Sequence, residues 1–200
     1  MEFIAQAVFI NLDRRTDRRS EFESECEKIG LPVKRFSAIE ASPGFVGCHK
    51  SHLAVLQMAK AEKWENVLIF EDDFMFLVDS KTFQEQLAQF FHSGLPFDVL
   101  MLSYNVQHGT PFNSLLTKVH EAQTASGYFV HSRFYDTLIR NLETNLALLE
   151  TTGHHWLYLN DQCWKSLQPA ADWYSFNLRI GKQRPSYSDL ANRFVDYGGI

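Results

Sequence analysis

Short apolar runs alternate with amphipathic stretches along most of the chain. The β-branched and aromatic run at 7–12 predicts a buried strand. An apolar stripe of Phe22, Cys26 and Ile29, ended by a glycine, predicts a helix over 17–29. The same reasoning predicts further strands at 33–38, 67–70, 98–103 and 125–131, and further helices at 80–92, 133–149 and 157–167.

One more helix is predicted after SPGFVG (42–47), a segment whose small residues and proline are typical of a loop. Ser51 is expected to cap this helix. The face that follows carries His52, Val55, Leu56 and Ala59.

The alternation of strands and helices predicts an α/β fold with a mostly parallel central sheet flanked by helices. Residues 104–123 are predicted to be mostly loop because QHGTPFNS is rich in breakers, and beyond 151 the pattern loosens into aromatic-rich loops around the last helix. No repeat or low-complexity linker divides the chain. We therefore expect a single domain over 1–200, either complete or part of a longer protein.

Three consecutive acids, Glu71, Asp72 and Asp73, lie between apolar flanks in LIFEDDFMF. They follow a predicted strand, at the edge of an α/β sheet where ligands bind. Like charges repel when they are brought together out of water, so a cation is expected there. Carboxylate oxygens suit Mg²⁺ or Mn²⁺ better than Zn²⁺. The alternative is a solvated turn whose acids stabilise the start of the next helix.

The segment GFVGCHKSH brings Cys48, His49 and His52 close in sequence. A zinc site is disfavoured because no fourth ligand follows at regular spacing, and a Cys–His nucleophile because nothing marks an oxyanion hole. His52 remains either a core histidine bonded to the backbone or a contact near a bound diphosphate.

Four arginines, Arg14, Arg15, Arg18 and Arg19, follow the first strand. They form either a solvated face or a phosphate contact, since the planar guanidinium suits phosphate. The first strand ends at the same sheet edge as the acids, and Arg18 is the preferred functional residue.

The net charge and amino-acid composition limit the kinds of molecule that this protein is expected to bind. A net charge of -5 over 200 residues argues against a broad nucleic-acid footprint and leaves a small phosphate-bearing ligand. Three widely spaced cysteines predict free thiols in a reducing compartment. No basic leader or apolar span of about 20 residues is seen, so a soluble cytoplasmic protein without a transmembrane segment is expected. Aromatic residues are concentrated near the C-terminus: Trp156, Tyr158, Trp164, Trp173 and Tyr174. Most of them are expected in the hydrophobic core, and one or two could line a sugar-binding cleft.

Five stretches, taken in order, resemble glycosyltransferase family 25, which includes bacterial lipooligosaccharide galactosyltransferases and the collagen galactosyltransferases. They cover nearly the whole chain: FINLDRRTDRR (9–19), GFVGCHKSHLAVLQ (44–57), VLIFEDDFMF (67–76), TASGYFVHS (124–132) and QRPSYSDL (183–190). Their shared order makes the resemblance more specific than any single stretch.

The resemblance implies a single GT-A type nucleotide-diphosphosugar transferase domain with Mn²⁺ or Mg²⁺ and a UDP-linked hexose, galactose or glucose. Its acidic motif is equivalent to Asp-x-Asp, with Asp73 as metal ligand and Glu71 as a second candidate that departs from the usual Asp. Glu71 or Asp72 would reach the ribose or a metal-bound water. The candidates for donor binding are Asn11, Leu12, Arg18, Ser51, His52, Asp72, Gln183, Ser188 and Asp189.

Members of this family invert the anomeric centre, so a carboxylate is needed to take the proton of the acceptor hydroxyl. Asp161 in LYLNDQCW is the chosen base, and a capping or solvated Asp is the alternative. The expected partners are the nucleotide sugar and a glycan or glycoprotein acceptor. Two other functions stay open, a metal-dependent phosphohydrolase and a non-catalytic binding module.

Overall fold

The computed structural model describes residues 2–188 and 193–196. Within them the strands are β1 (Gln6–Asn11), β2 (Lys34–Ser37), β3 (Asn66–Glu71), β4 (Phe74–Phe76), β5 (Val99–Met101), β6 (Asn105–Pro111), β7 (Leu116–Gln123), β8 (Gly127–His131), β9 (Trp173–Phe176), β10 (Gly181–Gln183), β11 (Ser186–Ser188) and β12 (Arg193–Val195). The helices are α1 (Thr16–Ile29), α2 (Gly44–Ala61), α3 (Ser80–His92), α4 (Tyr135–Thr152), α5 (His155–Tyr158) and α6 (Asn160–Cys163).

The central sheet has the strand order β2-β1-β3-β8-β5-β9-β7-β6. β1 pairs in parallel with β2 and β3, and β5 pairs in parallel with β9. β8 is antiparallel to β3 and β5, and β7 is antiparallel to β9 and β6. All strands of this sheet except β7 and β8 therefore point the same way, which confirms the predicted α/β class with a mostly parallel central sheet.

Helices cover both faces of the sheet, and β3 shows why. Its side chains alternate between the faces, as the two-residue period of a strand requires. Val67 and Ile69 pack in the layer of α2 and α4, whereas Leu68 and Phe70 pack in the layer of α1 and α3. All four side chains are fully buried. A strand that is apolar on both faces therefore carries the acids to the edge of the sheet.

Several predicted elements agree closely with the structure. The first strand, the first helix and the strand before the acids correspond to β1, α1 and β3. The helix predicted over 80–92 is α3, and Asp79 caps it by accepting a hydrogen bond from the Thr82 amide at 2.8 Å.

The predicted start of α2 is wrong. The helix begins at Gly44, directly after Pro43, so most of SPGFVG is helical. Ser51 is an interior residue and not a cap: its hydroxyl donates to the Gly47 carbonyl at 2.7 Å and accepts from the Ile39 amide at 2.8 Å. A Cβ at Gly47 would lie 3.0 Å from the Ala41 amide nitrogen. The small residues thus serve close packing of α2 on the preceding chain.

Residues 104–123 are not mostly loop, because β6 and β7 form an antiparallel hairpin there. The breakers Gly109 and Pro111 lie in β6, which is the last strand of the sheet. An edge strand needs only half of its backbone groups for pairing, so it tolerates proline. The turn is fixed by Asn113, whose side-chain oxygen accepts from the amides of Leu115 and Leu116 at 2.8 Å each.

The last predicted helix is also wrong as one element. Extended backbone at Leu159 separates α5 from α6, and a 3₁₀ turn over Trp164–Ser166 follows. The aromatic segment beyond contains β9, an inner strand of which every residue is buried. A short, fully buried strand has no alternating pattern, so its sequence resembles that of an aromatic loop.

A small separate sheet pairs β4, which directly follows the acids, with β10 in antiparallel orientation. Phe74 is fully buried between two glycines of neighbouring strands, Gly127 and Gly181. A Cβ on Gly181 would lie 2.5 Å from Phe74 Cε2 and 2.8 Å from the Met75 carbonyl oxygen. Gly181 is therefore required by close approach of the ring to the backbone.

We expect Gly181→Ala to lower the free energy of unfolding by about 1–3 kcal/mol, because the added methyl group overpacks this site. Urea denaturation measures the change. Combining it with Phe74→Leu should cost less than the sum of the two single substitutions, because the smaller side chain makes room. Additive effects in this cycle would contradict the assigned contact.

Candidate active site

The acids and the end of the first strand meet at one edge of the sheet. β1 and β3 are neighbouring parallel strands, and Ile10 lies opposite Glu71 in their register. Their carboxyl ends open into a cleft of about 350 Å³. Its lining includes predicted donor-binding and metal residues: Leu12, Arg18, Ser51, His52, Glu71, Asp72, Asp73 and Gln183.

Asp73 is the least satisfied of the three acids. The residue is only 9% exposed, and its Oδ1 is buried without a hydrogen-bond partner among the described residues. The nearest cation is Arg18, whose Nη1 lies 3.6 Å from Asp73 Oδ2. Burial and the neighbouring charge of Glu71 raise the pKa of Asp73 to about 8, although the Arg18 charge and a hydrogen bond from the Gln183 side chain oppose the rise. The cleft is therefore short of positive charge at this carboxylate.

Asp72 is held by the protein on both oxygens. Asn11 donates to Oδ2 at 2.7 Å, and Arg18 donates to Oδ1 at 3.0 Å. Burial raises the pKa of Asp72, and the Arg18 charge opposes that rise. Asn11 is fixed in turn by Arg35, whose Nε donates to its side-chain oxygen at 2.9 Å. Asn11 and Arg18 thus hold Asp72 in position in the cleft lining.

Arg18, on the first turns of α1, links the acids to the C-terminal segment. Besides Asp72, it donates from Nη2 to Ser186 Oγ at 2.7 Å and to the Tyr187 carbonyl at 2.8 Å. Arg19 instead faces outward and pairs with Glu23. Of the remaining arginines of the cluster, Arg14 and Arg15 also line the cleft.

Glu71 is tied to α2 through His52, with 3.1 Å between Oε1 and Nε2. A carboxylate only accepts, so the ring donates from Nε2, and a neutral ring accepts at Nδ1 from the Tyr128 hydroxyl at 2.8 Å. His52 and Tyr128 are both buried. This relay holds the Glu71 side chain toward the helix.

Cys48, His52 and Glu71 have ligand atoms within 4.8 Å of one another. His49, considered with the first two in the sequence, points elsewhere: its Nε2 contacts the Leu142 carbonyl at 2.9 Å in the core. Burial raises the pKa of the Cys48 thiol well above its usual range, and Glu71 adds to that rise. A nucleophilic thiolate is therefore disfavoured.

Asp161 does not line the cleft but lies close enough for the charge of Glu71 to act on it. Its Oδ2 accepts from the Thr124 amide at 3.1 Å, and its Oδ1 accepts from Gln162. Burial raises the pKa of Asp161.

The two predicted donor-binding residues nearest the C-terminus are Ser188 and Asp189. Ser188 ends β11, where its backbone pairs with Arg193. Asp189 lies outside the described residues.

The residues fit a hard divalent cation. Such an ion needs only one or two protein carboxylates, and Asp73 supplies a buried oxygen with no other partner among the described residues. Asp72 already accepts two donors and Glu71 accepts from His52. Of the three acids, Asp73 has the fewest hydrogen-bond partners among the described residues, and its role as metal ligand stays a prediction.

A family model described as glycosyltransferase family 25 (LPS biosynthesis protein) matches residues 40–144 of the chain. This is more than half of its length. The chain belongs to glycosyltransferase family 25. The resemblance inferred from the sequence is thereby confirmed, and the match contains α2, β3 and the three acids. No curated protein sequence matches the chain significantly.

One solved structure shows the same type of fold as this family 25 protein. A glycosyltransferase involved in the glycosylation of the major capsid of PBCV-1 gives a TM-score of 0.58 at 11% identity, over 94% of this chain and 95% of that one. A mannose-1-phosphate geranyltransferase from Thermus thermophilus gives 0.49 at 9% identity, over 90% and 73%. The first likeness supports the GT-A-like α/β fold and nothing more specific.

Tyr128 is the residue that sequence reasoning missed in this family 25 site. It lies 76 positions after His52, and only pairing of β8 beside β3 brings the two together. The one available signal was its place in the family-like stretch 124–132.

Among the described residues, no helix is long and apolar enough to cross a membrane.

We expect Asp73→Asn to stabilise the metal-free protein increasingly as the pH rises. The folded pKa of Asp73, about 8, is above its ordinary 3.8, so folding takes up a proton between these values. Wild-type stability therefore falls from pH 4 to 8, and the Asn variant lacks this loss. The gain at pH 8 should exceed that at pH 5 by at least about 1 kcal/mol.

Urea denaturation in the presence of a chelator measures this difference. The control is Asp136→Asn at an exposed side chain on α4, a change that removes a surface ion pair with Lys60. Parallel pH profiles for wild type and Asp73→Asn would contradict the raised pKa.

Proposed function

We propose that this family 25 glycosyltransferase moves a hexose, galactose or glucose, from a UDP-linked donor to a glycan or glycoprotein acceptor. We further propose that Mn²⁺ or Mg²⁺ is required and that the anomeric configuration is inverted. The observation that carries the proposal is the buried Asp73 oxygen without a partner among the described residues, placed at the strand end where α/β folds bind ligands.

The cleft suits a nucleotide diphosphate in size and charge. Its volume of about 350 Å³ lies within the range of small-molecule sites. Arg14, Arg15 and Arg18 are among its lining residues, each already paired with an acid of the protein. Guanidinium groups bind phosphate oxygens in a planar, paired geometry, so we propose that one or more of them contact the diphosphate. The acids then require a cation between themselves and the diphosphate. A bound divalent ion would act as a Lewis acid that neutralises charge on the departing diphosphate.

The described residues supply positioning around that point. Asn11 and Arg18 hold Asp72, so the turn that carries Asp73 keeps its shape without a ligand. His52 holds Glu71 against α2. Fixed groups of this kind need little reorganisation during the reaction, which favours electrostatic stabilisation of a developing charge.

Asp161 is the proposed base. Burial raises the pKa of Asp161, which makes it a stronger proton acceptor when it is ionised. It lies near Glu71 but outside the cleft lining, and we propose that the acceptor hydroxyl reaches it there. The Thr124 amide donates to Asp161 Oδ2 at 3.1 Å and so helps to fix the orientation of the Asp161 carboxylate.

We expect metal-dependent release of nucleoside diphosphate from one donor in a panel of UDP- and GDP-sugars, because the cation completes the site at Asp73. EDTA and Asp73→Ala should each reduce release by at least about a hundredfold. Asp136→Ala on the surface of α4 is the matched control and should behave as wild type. Release that survives both EDTA and Asp73→Ala would refute the metal assignment, and phosphate release from many esters would indicate a hydrolase instead.

Asp161→Asn should lower kcat for transfer by about 10²–10⁴-fold, since loss of a general base removes a contribution of that size. The donor KM should change little, because the Asn side chain can still accept from the Thr124 amide. Initial rates at varied donor concentration separate the two effects. A kcat near that of wild type would show that another group takes the proton.

A further inference from the structure

A run of aromatic rings extends from the start of α2 to α5. Phe45 contacts His155 at 5.1 Å between ring centroids, and His155 contacts Trp156 at 5.2 Å. Trp156 in turn lies 4.8 Å from His154, which stacks on Tyr158 at 6.5 Å. We call these five residues the ring platform.

The ring platform contacts the start of α2, the helix that supplies part of the cleft lining. Phe45 is on the first turn of α2, between Gly44 and Gly47, and both glycines line the cleft. The other four rings belong to α5 and the residue before it. α6 follows directly and carries Asp161, the proposed base. The platform is therefore joined to the cleft-lining helix through Phe45 and, along the chain, to the segment that carries Asp161.

The exposure of the ring platform is not explained by folding. Trp156 is 57% exposed and its neighbour Leu157 is 51% exposed. By contrast, Trp164 and Trp173 are almost completely buried, as large apolar side chains usually are. None of the residues of α5 is buried. Exposed aromatic groups gathered in this way mark binding surfaces.

The charge of the segment indicates what kind of ligand it accepts. Residues 153–159 (GHHWLYL) contain no Asp, Glu, Lys or Arg. A phosphate or nucleotide would find its cationic partners among the arginines that line the cleft instead. Pyranose rings combine an apolar C–H face with a polar rim. They match flat aromatic faces whose indole, imidazole and phenol edges can hydrogen-bond.

We infer that the ring platform binds a neutral sugar unit of the acceptor, with Trp156 as the main stacking surface. This inference rests on the proposed transferase function and gives it an acceptor subsite. It assigns the exposed rings to substrate binding and not to the fold. Of the aromatic residues considered in the sequence, Trp156 and Tyr158 belong to the platform, whereas Trp164, Trp173 and Tyr174 are buried.

Binding can be tested without turnover through tryptophan fluorescence. The probes are methyl glycosides of galactose, glucose, mannose and N-acetylglucosamine, each titrated without a donor. At least one should give saturable protection of Trp156 from acrylamide quenching, since Trp64 is half-buried and the other two tryptophans are buried. Trp156→Phe should abolish the signal, and Phe112→Ala, at a similarly exposed ring in the β6–β7 connection, should leave it unchanged.

No protection by any of the glycosides would overturn the inference. Protection by uridine monophosphate and not by a sugar would also overturn it, because the rings would then hold the donor base.

Kinetics supply a second test once an acceptor is turned over. Trp156→Ala should raise the acceptor KM by about tenfold or more, as expected for loss of a central aromatic contact, while the donor KM stays unchanged. Trp156→Phe should recover most of the affinity, and Phe112→Ala should behave as wild type. Thermal unfolding midpoints confirm that each variant is folded.

The two levels of hypothesis fail differently. If wild type turns over a donor but Trp156→Ala keeps the wild-type acceptor KM, the ring platform inference is wrong and the transferase proposal stands. If wild type releases nucleotide from no donor, the transferase proposal fails, and the fluorescence titration alone decides whether the rings bind sugar.

Discussion

The contact between Arg18 and the acids at the end of β3 is the interaction on which the site depends. Three adjacent carboxylates at a largely buried strand end repel one another, and each also loses hydration. One guanidinium offsets part of that cost by bonding Asp72 at 3.0 Å and lying 3.6 Å from Asp73. A single cation cannot balance three acids. The remaining negative charge is what the proposed divalent cation would neutralise.

The same arginine couples distant parts of the chain. Arg18 bonds Ser186 and the Tyr187 carbonyl, and so draws the C-terminal segment over the cleft. A second set of contacts acts beside it: Arg184 lies 3.3 Å from Glu25, a buried acid on α1 that also accepts from the Phe76 amide. α1 therefore fixes both sides of the acidic turn. Ion pairs this buried add little net stability, but an incorrectly placed segment would leave charges unpaired.

The sequence predicted most of the layered fold because β1, β3, α1 and α3 carry strong local patterns. It failed where tertiary context decides. Gly109 and Pro111 are tolerated only because β6 is an edge strand, and β9 is so fully buried that it has no alternation. In the site, Arg18 and Asp73 could be selected by residue type and by position after strands. Tyr128 could not, because its role depends on a pairing between β3 and β8.

The structure also gives a physical reason for glutamate at the first position of the acidic motif. Glu71 is the last residue of β3, and its carboxylate reaches His52 on α2 at 3.1 Å. An aspartate is one methylene shorter and would not span that distance from the same backbone position without a shift. His52 is itself held by the buried Tyr128 hydroxyl at 2.8 Å, so it cannot move freely to compensate. Glu71 is thus hydrogen-bonded to His52 on α2, while Asp72 is hydrogen-bonded to Arg18 and Asn11. By elimination, the shorter Asp73, whose Oδ1 has no partner among the described residues, is the member of the motif that remains available to a ligand.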